Sequence, residues 1–496
     1  MSQEVSAGIT GRVSDPSGAS IVGATVTAKD LDRQTVWPTK TNEDGIYAFP
    51  RVPVGRYELK VEAAGFKSYV NSNVALELNQ RARVDVNLEV GAISESVSVT
   101  GEAPVLQTDT TQVGSVISAN TIENSALISR NPIALTLLTA GVAAVDPASF
   151  NSGLRTGGGG RPYVNGNRKE SNNFLLDGVD NNFTSDNLVS YQPNPDALEE
   201  FKLITNNASA EFGNFQGGIV NMVIKSGTNQ FHGNVFEDFR NDQLNAGNWG
   251  RNWQNLPRQP LRWNQFGGTF GGRIIKDKLF FFADYQGLRQ AVPPVASSAT
   301  VMPLAWRNGD FSSLLSATGP YSVGKVVQLY NPYSVDANGL RAPFAGNIIP
   351  ASLLSPAAVK LMNNLSLYPA PLTSTITTPN YTYSSASYIS SDQGDAKLDW
   401  KPRDNDLLSF RYSHGRQDNP GVNSFPLFYN SFNVSPFQNE VINWTHTFSP
   451  RVVNEARVGV NNTLLYKRRR QGRRQRGTDS WHSGSSHRFA EPAGLY

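Results

Sequence analysis

From residue 217 onward, apolar and polar residues alternate in runs of seven to fifteen, and each run predicts a β-strand. Eight such runs are visible: 217–226, 231–240, 263–274, 279–289, 395–401, 407–414, 440–448 and 452–466. Ala396, Leu398 and Trp400 fall on one face, opposite Asp395, Lys397 and Asp399. Leu408, Phe410 and Tyr412 oppose Ser409, Arg411 and Ser413. Ile442, Trp444 and Phe448 oppose Asn443, Thr445 and Thr447, and Ala456, Val458 and Val460 oppose Glu455, Arg457 and Asn461. A period of two places each set on its own side of a sheet.

The gaps between runs alternate short and long. Residues 227–230, 275–278, 402–406 and 449–451 are tight and carry turn formers such as Gly227, Asn229, Pro402, Asp404, Asn405 and Pro450. Residues 241–262, 290–394 and 415–439 are long. This rhythm predicts a transmembrane antiparallel barrel, with tight turns at one rim and long loops at the other. Phe231, Phe239, Trp263, Trp400, Tyr412, Trp444 and Phe448 sit near strand ends, where an aromatic girdle belongs. Alternation alone is equally compatible with a soluble antiparallel sheet that has one wet face.

The chain begins differently. Short alternating runs around Ile9–Val13, Val22–Ala28, Tyr57–Ala63 and Val84–Leu88, with turns at Asp15-Pro16-Ser17-Gly18, Asn42-Glu43-Asp44-Gly45 and Pro53-Val54-Gly55, predict an antiparallel β-sandwich over 1–91. Residues 92–226 mix signals. ESVSVTG at 95–101 is a short strand. Asn131-Pro132 opens a helix that Gly141 can end. Gly157 to Gly160 form a glycine-rich loop.

The segments GRVSDPSGASIVGATVTAKD and NEDGIYAFPRVPVGRYELKVEAAGFKSY resemble the carboxypeptidase regulatory-like domain, a transthyretin-like sandwich also grouped with carbohydrate-binding-like folds. That resemblance implies a non-catalytic module. Tyr47, Phe49, Tyr57 and Phe66 read as core or as sugar-stacking platforms. Trp37, beside Pro38 in a polar stretch, is the better exposed candidate for ligand contact. Further on, RPYVNGNRKESNNFLLDGVDNNF and AEFGNFQGGIVNMVIKSGTNQFHG resemble the TonB-dependent outer-membrane receptors, in particular the Oar-like group. The resemblance implies a mainly β protein: sandwich at 1–91, α+β plug at 92–226, and the first part of an outer-membrane barrel at 227–466. It also implies a sandwich in the periplasm, transport of a large ligand (oligosaccharide or peptide), and the TonB complex and outer-membrane lipid as partners. Glu95, Val97, Val99 and Thr100 then read either as the strand that pairs with TonB by β-addition or as an ordinary first plug strand.

Composition narrows the chemistry. Cysteine is absent, so disulfides, thiolate metal sites and cysteine nucleophiles are excluded. The five histidines, His232, His414, His446, His482 and His487, are scattered without metal-ligand spacing. Gly157 to Gly160 lack the Lys-Ser/Thr ending of a phosphate loop. Asp177 and Asp180 do not follow the order of a calcium loop, and Asp177-Gly178 reads as a tight turn. No nucleophile has a base beside it, so neither enzyme activity nor a cofactor is expected. No run is long enough for a transmembrane helix, and no export signal is visible at the start, so it has been removed or the start is misplaced.

Residues 467–496 hold eight Lys/Arg against two acids, a net of +6, which leaves −3 for the rest of a chain whose total is +3. Nothing else is basic enough to imply nucleic acid. That basic stretch shows no strand pattern and reads as an out-of-frame tail, or else as a tail for nucleic acid or anionic lipid. Receptors of this kind close with about 22 strands, so eight strands read as an N-terminal fragment. The competing functional reading is a secreted or surface carbohydrate-binding module or adhesin.

Overall fold

A computed structural model describes residues 6–93, 96–99, 111–153, 159–184, 186–213, 215–420, 425, 431–449 and 452–469. The chain forms two compact units. One comprises Met1–Val295, Ser384–Val422 and Phe432–Lys467; the other is built around Ala296–Tyr383.

In the first unit the N-terminal residues form the expected sandwich. One sheet contains Ile46–Val52, Ala7–Ser14, Arg81–Arg83 and Val86–Asn87. The other runs in the order Val36–Lys40, Thr25–Asp30, Gly55–Glu62, Ser68–Leu76, Ser96–Val99. The inward positions of the alternating strands, Ile9, Val13, Val26, Ala28, Leu59 and Val61 among them, build a closed apolar core. Tyr47, Phe49 and Tyr57 are buried in it, and both tyrosine hydroxyls are satisfied: Tyr47 donates to Val84 O (2.6 Å) and Tyr57 to Pro53 O (2.7 Å). The sheets are mixed rather than purely antiparallel. Ala7–Ser14 pairs in parallel with Arg81–Arg83, and Ser68–Leu76 in parallel with Ser96–Val99.

The next sheet is ordered Val113–Ser118, Leu198–Asn206, Ile219–Ile224, Asn173–Leu176, Val179–Asp180. It corrects the strand list. Residues 217–226 read as the first barrel strand, yet Ile219–Ile224 lies in this inner sheet, wholly buried, parallel to Asn173–Leu176 and antiparallel to Leu198–Asn206. The physical reason is legible in IVNMVI: an almost continuous apolar run suits a strand covered on both faces. Asn131 caps Pro132–Leu138, accepting from Ile133 N (3.1 Å), although the helix is 3₁₀ rather than α.

The large sheet has eight strands: His232–Asn241, Arg262–Ile275, Leu279–Ala299, Tyr381–Arg403, Asp406–Pro420, Ser431–Ser449 and Val452–Thr463 in sequential order, with Tyr466–Arg469 paired to Ser431–Ser449. The alternation has the predicted sense. Leu398, Trp400, Phe410, Ile442, Trp444, Phe448, Val458 and Val460 are exposed, while Asp395, Lys397, Arg411, Ser413 and Asn439 are buried. Trp263 departs from the girdle expectation: it is 2% exposed, on the buried face with Leu288 and Ile389, and donates to Gln265 Oε1 (3.2 Å). Several strands continue well past their alternating segments. Tyr381–Arg403 spans 23 residues where the pattern marks only 395–401. Beyond a hydrocarbon-sized band no apolar face is required, and ladder hydrogen bonds suffice to continue a strand. Lys467 to Arg469, the start of the basic stretch, lie in the short strand Tyr466–Arg469; residues 470–496 lie outside the described residues.

In the second unit, a hairpin of Tyr330–Val335 and Arg341–Pro343 accompanies short helices at Leu304–Arg307 and Pro356–Met362. Arg307 is its buried polar centre. Its guanidinium donates to the carbonyls of Met302 (3.0 Å), Met362 (2.7 Å), Tyr368 (2.8 Å) and Pro369 (2.5 Å).

Candidate functional site at the seat of the plug

The segment SNNFLLDGVDNNF makes a two-residue hairpin. Asn173–Leu176 turns back into Val179–Asp180 through Asp177 (φ 47°) and Gly178 (φ 74°), both in the left-handed region. Positive φ at both central residues is the type I′ pattern that Asp-Gly favours. Asparagines fix the surrounding backbone. Asn182 Oδ1 accepts from Phe174 N (3.0 Å), Asn181 Oδ1 from Tyr191 N (3.1 Å), and Asn172 Oδ1 from Gly218 N (2.9 Å).

The hairpin presents Asp177 to the buried face of the large sheet. Asp177 Oδ1 accepts from Ile224 N (3.2 Å) and lies 3.4 Å from Lys397 Nζ. Asp177 Oδ2 lies 2.7 Å from Arg411 Nε. Arg411 is fully buried, and its remaining N–H groups reach Asn439 Oδ1 (2.6 Å), Leu176 O (3.3 Å) and the Ser413 hydroxyl. Asp395 continues the cluster, accepting from Tyr191 OH (2.9 Å) and the Ser413 hydroxyl, while its own N–H donates to Asp284 Oδ1 (2.9 Å). Lys397 Nζ also donates to Ile224 O (2.7 Å). The sheet thus offers charges that the inner sheet pairs. Among the described residues apolar contact is made where Phe282 and Phe437 join the inner core and Tyr191 stacks on Phe437 at 4.4 Å. A second seat lies at Arg130, which pairs with Asp196 (2.9 Å) and with Asp238 of His232–Asn241 (2.9 Å) and covers the Phe236 ring at 3.7 Å.

The sandwich meets both sheets at the short-turn rim. The Leu78 N–H donates to Glu200 of Leu198–Asn206, and Lys202 Nζ donates to Leu78 O (3.3 Å). Val54, Leu78 and Val223 close a small apolar contact. Burial pushes the Glu200 carboxyl up to about 8, with Glu199 and Glu77 adding to the rise. Asn229 binds the sandwich turn through Asp32 O (3.3 Å) and Arg33 O (2.5 Å), and Arg51 pairs with Glu455 (3.4 Å). Trp37 is half-buried here, not free. Its ring lies 4.3 Å from Lys401 Nζ and 5.8 Å from Tyr57. Val97 and Val99 lie in the edge strand Ser96–Val99 of the sandwich, paired to Tyr69 and Asn71. Glu95 and Thr100 lie outside the described residues.

Sequence reasoning placed Asp177 only in a turn. Asp395, Lys397 and Arg411 stood on the polar strand faces without a role. The usable signal was three charges on one face of adjacent strands, where a lumen needs only polarity.

Residues 223–492, more than half of the chain, match the family model described as an outer membrane beta barrel domain, so the chain belongs to the outer-membrane β-barrel proteins. Residues 107–220 match the TonB-dependent receptor plug domain and residues 8–89 the carboxypeptidase regulatory-like domain. The chain is therefore a member of the TonB-dependent outer-membrane receptors, with the sandwich, plug and barrel arrangement of the Oar-like group. It is 30% identical over 272 residues to the TonB-dependent transporter Oar of Myxococcus xanthus, a match covering 52% of this chain and 24% of that protein. It is similar to the outer membrane transporter YddB of Escherichia coli (11% identity, TM-score 0.42, 70% of this chain, 38% of that one). It is also similar to the siderophore receptor PirA of Pseudomonas aeruginosa (12% identity, TM-score 0.39, 74% and 42%). The chain spans about a quarter of the length of the curated relative it matches.

Proposed function

We propose that this chain serves TonB-dependent uptake of a large ligand, an oligosaccharide or a peptide, across the outer membrane. In this reading the short-turn rim and the sandwich face the periplasm and the long loops face outward. Ser96–Val99 supplies the strand that TonB takes by β-addition, and the protein is not an enzyme. The observation that carries the reading is the Asp177–Arg411–Lys397 cluster. A plug seated by buried ion pairs is held in register, yet it loses little apolar burial when it moves, so a pulling partner can shift it. Buried pairs of this kind give position more than net stability. Trp37 has its ring occupied by Lys401 and serves the docking of the sandwich.

The test uses cells that produce the chain, with and without TonB, offered fluorescent oligosaccharides and oligopeptides too large for porins. Uptake of one class that disappears without TonB supports the reading. Uptake unchanged without TonB, or none from either class together with no binding of TonB to the purified chain, counts against it.

A further inference from the structure

The short-turn rim of the wall and one edge of the sandwich enclose a cleft of about 550 Å³, within the size range of small-molecule sites. On the sandwich side it is bordered by Trp37, Pro38, Thr39 and Lys40, consecutive residues of the edge strand Val36–Lys40. That strand pairs only with Thr25–Asp30. Successive side chains of a strand point to opposite faces, so an unbroken run marks its free edge as the border. On the wall side the cleft is bordered by the turn residues Asp404 and Asn405 and by Phe448.

Two features name an occupant. The first is continuity with the lipid face. Phe448 is 65% exposed and ends an aromatic ladder on the outward face of Ser431–Ser449: its ring meets His446 at 4.4 Å, and His446 meets Trp444 at 6.0 Å. Asp406 pins that ladder, lying 2.7 Å from His446 Nδ1 and accepting from Trp444 Nε1 (3.0 Å). The ladder leads from the apolar band of the wall into the cleft. The second feature is charge. Asp404 faces Lys401 at 3.7 Å and Arg51 faces Glu455 at 3.4 Å, so those charges are matched. Lys40 lines the same cleft with no partner among the described residues. Thr39 lines it too, and its buried hydroxyl is unpartnered. An apolar entry that ends on an ammonium and a hydroxyl suits an amphiphile with an anionic head.

We propose that this cleft holds a glycerophospholipid of the adjoining leaflet. Its phosphate sits at Lys40 and Thr39, and its glycerol and first acyl carbons lie against Phe448 and the ladder above it. The lipid wedges between the edge strand and the rim, so the sandwich is tied to the membrane surface as well as to the plug and the wall. It also covers the free edge of Val36–Lys40, which would otherwise be open to other strands. The site is independent of the cargo the receptor carries.

The full chain is reconstituted in nanodiscs of phosphatidylethanolamine that carry a photoactivatable phosphatidylglycerol, its diazirine beside the glycerol. After irradiation, adducts are mapped by mass spectrometry. The expected result is labelling at both 37–40 and 444–449. Lys40→Glu should cut the adducts at 37–40 about fivefold, the weight of one lysine at an anionic headgroup, and leave those at Trp400 unchanged. Phe448→Ser should cut them about tenfold through the lost apolar contact. A diacylglycerol with the same diazirine and no phosphate should label 37–40 at least about fivefold less than the phospholipid. That comparison uses the unaltered chain and so does not depend on how a variant folds. Labelling confined to the wall, or equal labelling by the two probes, overturns the proposal. So does loss of the adducts at 37–40 to soluble chitohexaose, which would make the cleft a glycan site.

Discussion

Arg411 of the barrel wall and Asp177 of the plug hairpin face each other at 2.7 Å, and the guanidinium is fully shielded from solvent. The pair lies 234 positions apart in sequence, and each partner depends on the other. The Asp-Gly turn aims Asp177 outward from the plug, and the strand period aims Arg411 inward from the wall. Neither charge has bulk water to fall back on, so the pair fixes where the hairpin sits.

Removing one partner strands the other. Arg411→Met is expected to weaken plug seating by about 3–5 kcal/mol, since Asp177 is left buried and charged with Lys397 alone nearby. Arg411→Met/Asp177→Leu should recover most of that loss. Protease sensitivity of the plug in detergent, followed against urea, measures both. Equal sensitivity of wild type and Arg411→Met refutes the assigned role.

Docking of the sandwich on the plug should depend on pH through Glu200. In the docked chain burial raises its carboxyl from the ordinary 4.5 to about 8, against the lowering by the Leu78 N–H, and undocking that re-exposes the group returns it toward the ordinary value. Between those values the docked state holds a proton that the undocked state has released. Docking is therefore strongest below about 4.5 and weakens as pH rises toward about 8. Each pH unit inside that window is worth about tenfold in the docking equilibrium. Glu200→Gln should flatten the profile. Proteolytic release of the sandwich, measured from pH 5 to 9, reports it.

The second unit should depend on the shape of a guanidinium. Arg307 feeds four carbonyls in diverging directions, a geometry that an ammonium cannot match. Arg307→Lys is expected to cost this unit about 2–4 kcal/mol. Limited proteolysis mapped to residues 296–383 should rise while cleavage of the sandwich stays unchanged.

The sandwich should fold alone. Its core is closed within residues 7 to 88, so residues 1–91 should melt cooperatively with β-sheet circular dichroism. Within it, Gly11→Ala should abolish the transition or lower it steeply, because the added Cβ would sit 1.9 Å from Val84 O.

Period-two patterning made the face assignment of the wall legible, and turn chemistry located both the sandwich loops and the Asp177-Gly178 hairpin. Pattern failed where one signal serves two environments. The run IVNMVI is as apolar as a membrane strand, but it is buried on both faces inside the plug. Trp263 looks like a girdle residue by position, yet its register turns it inward beside Gln265. The ion cluster stayed hidden because its members lie in separate segments, and alternation says which face a charge occupies without naming its partner. The parallel pairing of Ser96–Val99 was likewise illegible, since a four-residue strand carries no record of the edge it joins.

The plug hairpin is seated directly on the barrel wall. A Cβ added at Gly459 would lie 2.5 Å from Val179 Cγ2, so these two positions touch across that seam. Val179→Cys/Gly459→Cys in the otherwise cysteine-free chain, oxidised in intact outer membranes, measures the contact. The predicted result is rapid cross-linking to a species of altered mobility, with both thiols unreactive to maleimide until reductant is added. Two thiols that stay free and label readily in the folded chain would contradict the seat described for the plug.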